Sequence, residues 1–213
     1  MKIQKIKNRG TLFTSNSAGW DYNMYLIQGK NNDFVIDTGL GKNSVAPIIE
    51  QLKSNHKSIV VINTHYHWDH IWGNGSFKDC MIVAHQLCRD MILAQWESTM
   101  HKHGQHCCGE VSMNLPSLVF QRELNFPDDR IRLIHTPGHT VDSISVLDEE
   151  DGVLMLADNI GDDMDEIVPG LYCEKDVYRR TLLNYMQMQF DVCISGHNKP
   201  LGKEVISKIL GIL

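Results

Sequence analysis

Residues 58–73, SIVVINTHYHWDHIWG, constrain this chain more than any other stretch. An apolar run, Ile59-Val60-Val61-Ile62, gives way at once to His65-Tyr66-His67-Trp68-Asp69-His70. Such a run reads as a buried strand, and the residues beyond it are four metal-competent side chains within six positions. In extended backbone, side chains two apart share a face, so His65, His67 and Asp69 are expected to converge. In a helix those positions would lie about 200° apart. His70 then needs a turn to reach the same region, where it can serve a second ion beside the first. This packing of ligand types points to metal chemistry, since a loop that only caps and hydrogen-bonds has no need of it.

The rest of the sequence narrows the class. A length of 213 residues fits one large domain, with hydrophobic residues at 42% and charged residues at 22%, the profile of an ordinary globular protein. A formal net charge of −6 and the lack of a basic cluster argue against a nucleic-acid partner. The N-terminal MKIQKIKNRGTLF has no apolar core of signal-peptide length, so export is not indicated. No apolar run approaches the ~20 residues of a membrane span. Cys80, Cys88, Cys107, Cys108, Cys173 and Cys193 therefore read as reduced thiols of a cytoplasmic protein, with Cys193 a buried small hydrophobe.

In chain order, residues 1–37 read as β, with a Gly/Asn turn at 29–32 that favours a hairpin. Val45, Ile48, Ile49 and Leu52 are at helical spacing, which predicts a helix over 44–52 and hence a parallel pairing of the strands on either side. A strand at 81–83, a helix from His85 to about Met100 and an irregular section at 101–109 follow. Strands are then expected at 121–126, 131–135, 143–147, 153–156 and 192–194, with helices at 176–187 and from Lys203 to about Leu210.

One event recurs five times: an apolar strand runs out and a metal-competent residue stands just beyond it. These are Asp37, the cluster from His65 to His70, His139 in HTPGHT, Asp158 in ADN and His197 in SGH. Strand ends are rigid, and loops after them can reach a common cleft. Gly39, Gly138 and Gly196 beside them suit tight turns and close approach. Excluding Asp37, five histidines and two aspartates remain, one more than two three-ligand sites use, so one carboxylate can bridge two ions.

In these residues the chain resembles the metallo-β-lactamase-fold hydrolases, over about residues 20 to 200 and with no ligand position missing. The resemblance implies an α/β fold, a four-layer αβ/βα sandwich of two mixed sheets, as one domain over 1–213 with a lid-like insertion at about 86–128. It implies a first metal on His65, His67 and His139. It puts a second on Asp69, His70 and His197, with Asp158 bridging and Asp37 orienting ligands from behind. Two ions ~3.5–4 Å apart can hold a bridging water, bring its pKa towards ~7 and polarise a carbonyl. Asp69 is the expected catalytic residue, orienting the attacking hydroxide and carrying a proton. The ligand types suit two Zn²⁺ and also admit Fe or Mn.

Among the family's activities, attack on an ester-like carbonyl of a small molecule, a thioester or lactone, fits best. The lactonases of the acyl-homoserine type share the HTPGHT phrase, and Tyr172 is a candidate there for polarising a carbonyl. Glyoxalase II shares the ligand set, but only sixteen residues follow His197, which leaves no helical glutathione-binding domain. β-Lactam hydrolysis, a mononuclear iron persulfide dioxygenase and a non-enzymatic relic of the fold are the alternatives. The section with His101, His103, His106, Cys107 and Cys108 has no standard zinc spacing and reads as a lid or oligomer contact, with Trp96, Met100 and Met113 as apolar wall and Trp68 in the pocket or packing.

Overall fold

The computed structural model describes residues 1–17, 19–53 and 56–213. Its first half runs β1 (Lys2–Ile6), β2 (Gly10–Ser17), β3 (Trp20–Gln28), β4 (Asn32–Ile36), α1 (Lys42–Leu52), β5 (Ser58–Ile62), the single turn α2 (Trp68–Ile71), β6 (Met81–His85), α3 (Gln86–His103) and β7 (Leu118–Phe120). The second half runs β8 (Glu123–Phe126), β9 (Ile131–His135), β10 (Ile144–Asp148), β11 (Val153–Ala157), α4 (Lys175–Gln187), β12 (Val192–Ser195), β13 (Leu201–Gly202) and α5 (Glu204–Ile212). Strands β1 to β7 form one sheet in chain order, and β13-β12-β11-β10-β9-β8 form the other. Both sheets are mixed. In the first, β4, β5, β6 and β7 pair in parallel; in the second, β11 and β12 do.

Burial explains the layering. Leu12, Tyr25, Phe34, Ile36 and Ile62 of the first sheet pack against Leu133, Val146, Met155 and Ile194 of the second in one cluster. The opposite face of the first sheet is covered by α1 through Val45, Ile48 and Leu52. The outer face of the second is covered by α4 and α5 through Tyr178, Leu182, Ile206 and Ile209. Both β10 and β11 are buried along their whole length, as strands covered on two faces must be. These contacts give the four-layer αβ/βα sandwich.

Three sequence expectations need correction. The strand expected at 121–126 is β8, which begins two residues later at Glu123 in the second sheet, and an unexpected strand, β7, precedes it in the first sheet, with Gln121 and Arg122 carrying the chain from one to the other. The three residues of β7 are too few to show a strand period. The helix α3 runs on through His101 and Lys102 to His103, so the irregular section begins later than its polarity suggests. The short strand β13 on the edge beside β12 has no periodic signature and was not expected.

Direction places the functional residues. In the second sheet β9 and β11 each lie antiparallel to β10, and β12 lies parallel to β11, so the C-terminal ends of β9, β11 and β12 emerge at one edge. Parallel β4 and β5 deliver theirs together. At the far end of β11 from Asp158, Arg9 in the β1–β2 turn joins the two sheets. Its guanidinium donates to Asp148 Oδ2 at 3.0 Å, to Asp148 Oδ1 at 2.5 Å and to the Asp129 carbonyl at 2.8 Å. The Asp148 side chain is fully buried. Arg9→Met is expected to lower stability in urea by about 3–5 kcal/mol, because it leaves a buried carboxylate unpaired. Adding Asp148→Leu should restore much of the loss; equal stability of wild type and Arg9→Met would show that the pair is solvated.

Candidate metal centre

Five strand ends converge at one edge of the sandwich. Asp37, directly after β4, has φ 59°, a left-handed conformation unusual for a residue with a side chain. The turn aims its carboxylate back under the β5 loop. It accepts Thr64 N–H at 2.8 Å and Thr64 Oγ–H at 2.7 Å, and contacts His70 Nδ1 at 2.8 Å. Ala157, before Asp158, is left-handed as well, with φ 49°. Strain of this kind persists where surrounding contacts fix the backbone.

The expectation that His65, His67 and Asp69 share one extended face is corrected. The backbone turns helical at Trp68, so Asp69 and His70 swing away from His65 and His67. Two groups of donor atoms result, each within 4.8 Å of one another: His65, His67, His139 and Asp158, and Asp69, His70 and His197. These are the residues the resemblance assigns to two ions. Asp158 Oδ2 is the hub. It lies 3.5, 3.3, 3.6 and 3.4 Å from Nε2 of His65, His70, His139 and His197. Asp69 Oδ2 lies 3.4 Å from His197 Nε2 and 3.7 Å from His70 Nε2. His67 faces His139 Nε2 with its Nδ1, at 3.1 Å.

Two tests support a cation at this place. First, Nε2 of His65, Nε2 of His70 and Oδ1 of Asp158 are buried without a hydrogen-bond partner, which costs free energy unless something else satisfies them. Ligands about 2.0–2.2 Å from a tetrahedral Zn²⁺ lie about 3.3–3.6 Å apart, close to the separations around Asp158 Oδ2. Second, the outward imidazole nitrogens are committed. His139 Nδ1–H donates to the Gly170 carbonyl at 2.6 Å and His197 Nδ1–H to the Asp21 carbonyl at 2.7 Å. Thr64 Oγ, whose proton goes to Asp37, accepts from His65 Nδ1 at 3.2 Å. Each bond fixes the tautomer that leaves the Nε2 lone pair facing inward.

The electrostatics agree. Burial, then repulsion from His70, hold His65 well below the usual imidazole pKa. Burial and His139 bring His67 to about 4, so both imidazoles are neutral at pH 7. For His70, burial opposes charge but Asp158, Asp69 and Asp37 outweigh it and raise its pKa well above the usual value. For His197 burial is likewise outweighed, chiefly by Asp158, and its pKa rises to about 9. Burial would raise Asp158, yet His70, His197 and His65 hold it well below the carboxylate range. The site thus demands positive charge, and two protons supply it in the protein alone.

Several residues that build the site were not singled out from sequence. Asn159 accepts His139 N–H at 2.8 Å and donates to the Thr136 carbonyl at 2.7 Å, clamping the His139 loop. Asn23 on β3 binds the carbonyls of Ser195 and Asn198 at 3.0 and 2.8 Å, drawing the His197 loop to the first sheet. Nothing marks either in sequence: Asn159 ties two loops of the second sheet, and Asn23 acts across the seam between sheets. Gly196 is legible: a Cβ there would stand 2.0 Å from Asp158 Oδ1 and 2.8 Å from His70 Cε1. Gly196→Ala is expected to weaken metal affinity at least tenfold by pushing the hub carboxylate aside; unchanged affinity in a chelator competition would show that the loop yields instead.

A cleft of about 600 Å³ opens over these residues, lined by His67, Asp69, His139, Asp158 and His197 on its floor. Tyr172 lines it and is 68% exposed, with its ring centroid 5.6 Å from His67 and 5.4 Å from His139. Trp68 also lines the cleft. The apolar wall expected from Trp96, Met100 and Met113 is not there: Trp96 and Met100 pack beneath α3 against Ile71 and Trp72, and Met113 is solvent-exposed. The residues at 101–108 assemble no further donor group among the described residues. Instead His103 and His106 stack on Trp68, with centroids 4.9 and 5.4 Å away.

Residues 18–83 match the sequence model of the metallo-beta-lactamase superfamily. A probable metallo-hydrolase of Methanocaldococcus jannaschii is 33% identical over 150 residues, covering 63% of this chain and 66% of the relative. An acyl-coenzyme A thioesterase of Homo sapiens is 26% identical over 163 residues, covering 66% and 58%. The chain spans about three fifths of the length of these curated relatives. The crystal structure of DIM-1 metallo-beta-lactamase superposes with TM-score 0.79 at 18% identity, over 99% of this chain and 95% of that one.

Proposed function

We propose that this chain, a protein of the metallo-β-lactamase fold, is a metal-dependent hydrolase that attacks an ester-like carbonyl, a thioester or lactone, in a small molecule. The observation that carries the reading is the double donor group around Asp158, which opens directly into a cleft. A storage site has no need of that access. Relatives named as a metallo-hydrolase and as an acyl-coenzyme A thioesterase support it.

We assign His65, His67 and His139 to a first ion, and Asp69, His70 and His197 to a second. Asp158 is shared, and Zn²⁺ is the expected metal, with Fe or Mn admitted by the donors. Bound there, the ions would supply Lewis acidity, lowering the pKa of water and polarising a carbonyl. The protein does the rest. Asp37 and Thr64 hold His65 and His70 in ligand geometry from behind. Asp69, whose side chain is 13% exposed and faces the cleft, can orient the attacking water and take its proton. Tyr172 stands beside His67 and His139 with its ring at the mouth, where it can contact the substrate. The segment 86–128 shapes access through α3. No helix among the described residues is long and apolar enough to cross a membrane, and all six cysteines are free thiols, which suits the cytoplasm.

Elemental analysis after mild purification should find close to two transition-metal ions per chain. The same preparation, screened against thioesters, lactones, phosphodiesters and a β-lactam, should hydrolyse a member of the first two classes. Protein that holds no metal and takes up neither Zn²⁺, Mn²⁺ nor Fe²⁺ would overturn the reading.

A further inference from the structure

The helix α3 presents three different faces. Cys88 and Ile92 are buried, with Trp96 and Met100 packed beside them. Asp90, Leu93, Glu97 and His101 face solvent. Gln95, Ser98, Thr99 and Lys102, at i, i+3, i+4 and i+7, line the cleft above the candidate metal ligands. Both carboxylates of α3, Asp90 and Glu97, are kept off that third face, which carries an amide, two hydroxyls and an ammonium group, with the His103 imidazole lining the cleft at the end of the helix. Lys102 is the only lysine or arginine on the cleft wall, and it makes no ion pair among the described residues. The Ser98 hydroxyl donates to the Gln95 carbonyl at 2.8 Å, and it must rotate away from that carbonyl to donate to an anion in the cleft.

We propose that Ser98, Thr99 and Lys102 form a subsite for an anionic oxygen group, a carboxylate or phosphate, borne by the substrate away from its scissile carbonyl. The inference rests on the hydrolase reading for the carbonyl and names the class of molecule that carries it: an acidic thioester or lactone. The floor engages the reacting carbonyl while the α3 wall reads the charge, so two separated contacts fix the substrate. Asp162 is the one cleft carboxylate outside the donor groups; it repels a second negative charge and so favours a substrate acidic at one end.

Calorimetric titration of the Zn²⁺-loaded protein with succinate and with acetate tests the subsite without turnover. Lys102→Glu should weaken succinate binding at least tenfold, and more than it weakens acetate, which is too short to span floor and wall. Glu97→Gln, on the solvent face, should change neither. Equal loss for both anions, or none, would overturn the subsite. In kinetics, a succinyl thioester should be preferred over the butyryl thioester of the same thiol if the charge sits on the acyl side. An acetyl thioester of 4′-phosphopantetheine should be preferred over that of pantetheine if it sits on the thiol side. In either case Lys102→Glu should erase the preference, and equal kcat/KM within both pairs would count against the subsite. Wild-type protein that hydrolyses none of these, nor any lactone, defeats the hydrolase reading, while the succinate titration still decides the subsite.

Discussion

Asp158→Ala is expected to strip both ions from the protein at once. A single oxygen, Asp158 Oδ2, lies 3.3 to 3.6 Å from four imidazole Nε2 atoms that belong to both donor groups. Removing it takes a shared ligand from both donor groups and the carboxylate that most raises the proton affinity of His70 and His197. The loss should therefore exceed the 10–100-fold in affinity typical of a residue that only orients a ligand. Asp37→Ala supplies that comparison, since its carboxylate touches His70 Nδ1 and Thr64 but no inward donor atom. Metal content after dialysis against a graded chelator separates the two. Retention of two tightly held ions by Asp158→Ala would show that Asp158 is not shared, and the division of ligands given above would have to be redrawn.

The contrast between these two aspartates also explains what sequence can reveal. Donor atoms that bind an ion must be His, Asp, Glu or Cys, so His65, His67, His70, His139, Asp158 and His197 stand out by type and by place after apolar strands. Asp37 stands out for the same reason although it binds a histidine. The orienting partners carry no such constraint. Gly170 and Asp21 act through backbone carbonyls, and any residue would supply those. Asn23 and Asn159 act through amides common in every turn. The direction of Asp69 was misread for a different reason. Alternation was extended past the end of β5, where the chain has left the sheet and its hydrogen-bond ladder no longer sets the side-chain period. The helices α1 and α4 and the short apolar strands were legible from their spacing, whereas the four-layer arrangement was implied by the resemblance that the metal-competent residues carry. The switch of sheets between β7 and β8 was not legible, because it depends on which edge each short strand meets.

Asp69→Asn is expected to leave the metals largely in place and the chemistry slow. Asparagine keeps the shape and one oxygen that can face His70 and His197, so occupancy at saturating Zn²⁺ should stay near the wild-type value. What is lost is negative charge and the capacity to take a proton. Asp69 is suited to that task by position: its Oδ2 reaches His197 Nε2 at 3.4 Å while its side chain lines the cleft. A group that accepts a proton in the transition state contributes about 10²–10⁴-fold. The kcat of Asp69→Asn on a thioester or lactone that the wild type hydrolyses should fall by that factor, with KM moving much less, because the residue acts after binding. A metal-storage protein would show no turnover in either form and only weaker metal affinity in the variant. If fully metallated Asp69→Asn turns over at the wild-type rate, Asp69 is a ligand alone, and the proton must leave by another group on the floor of the cleft.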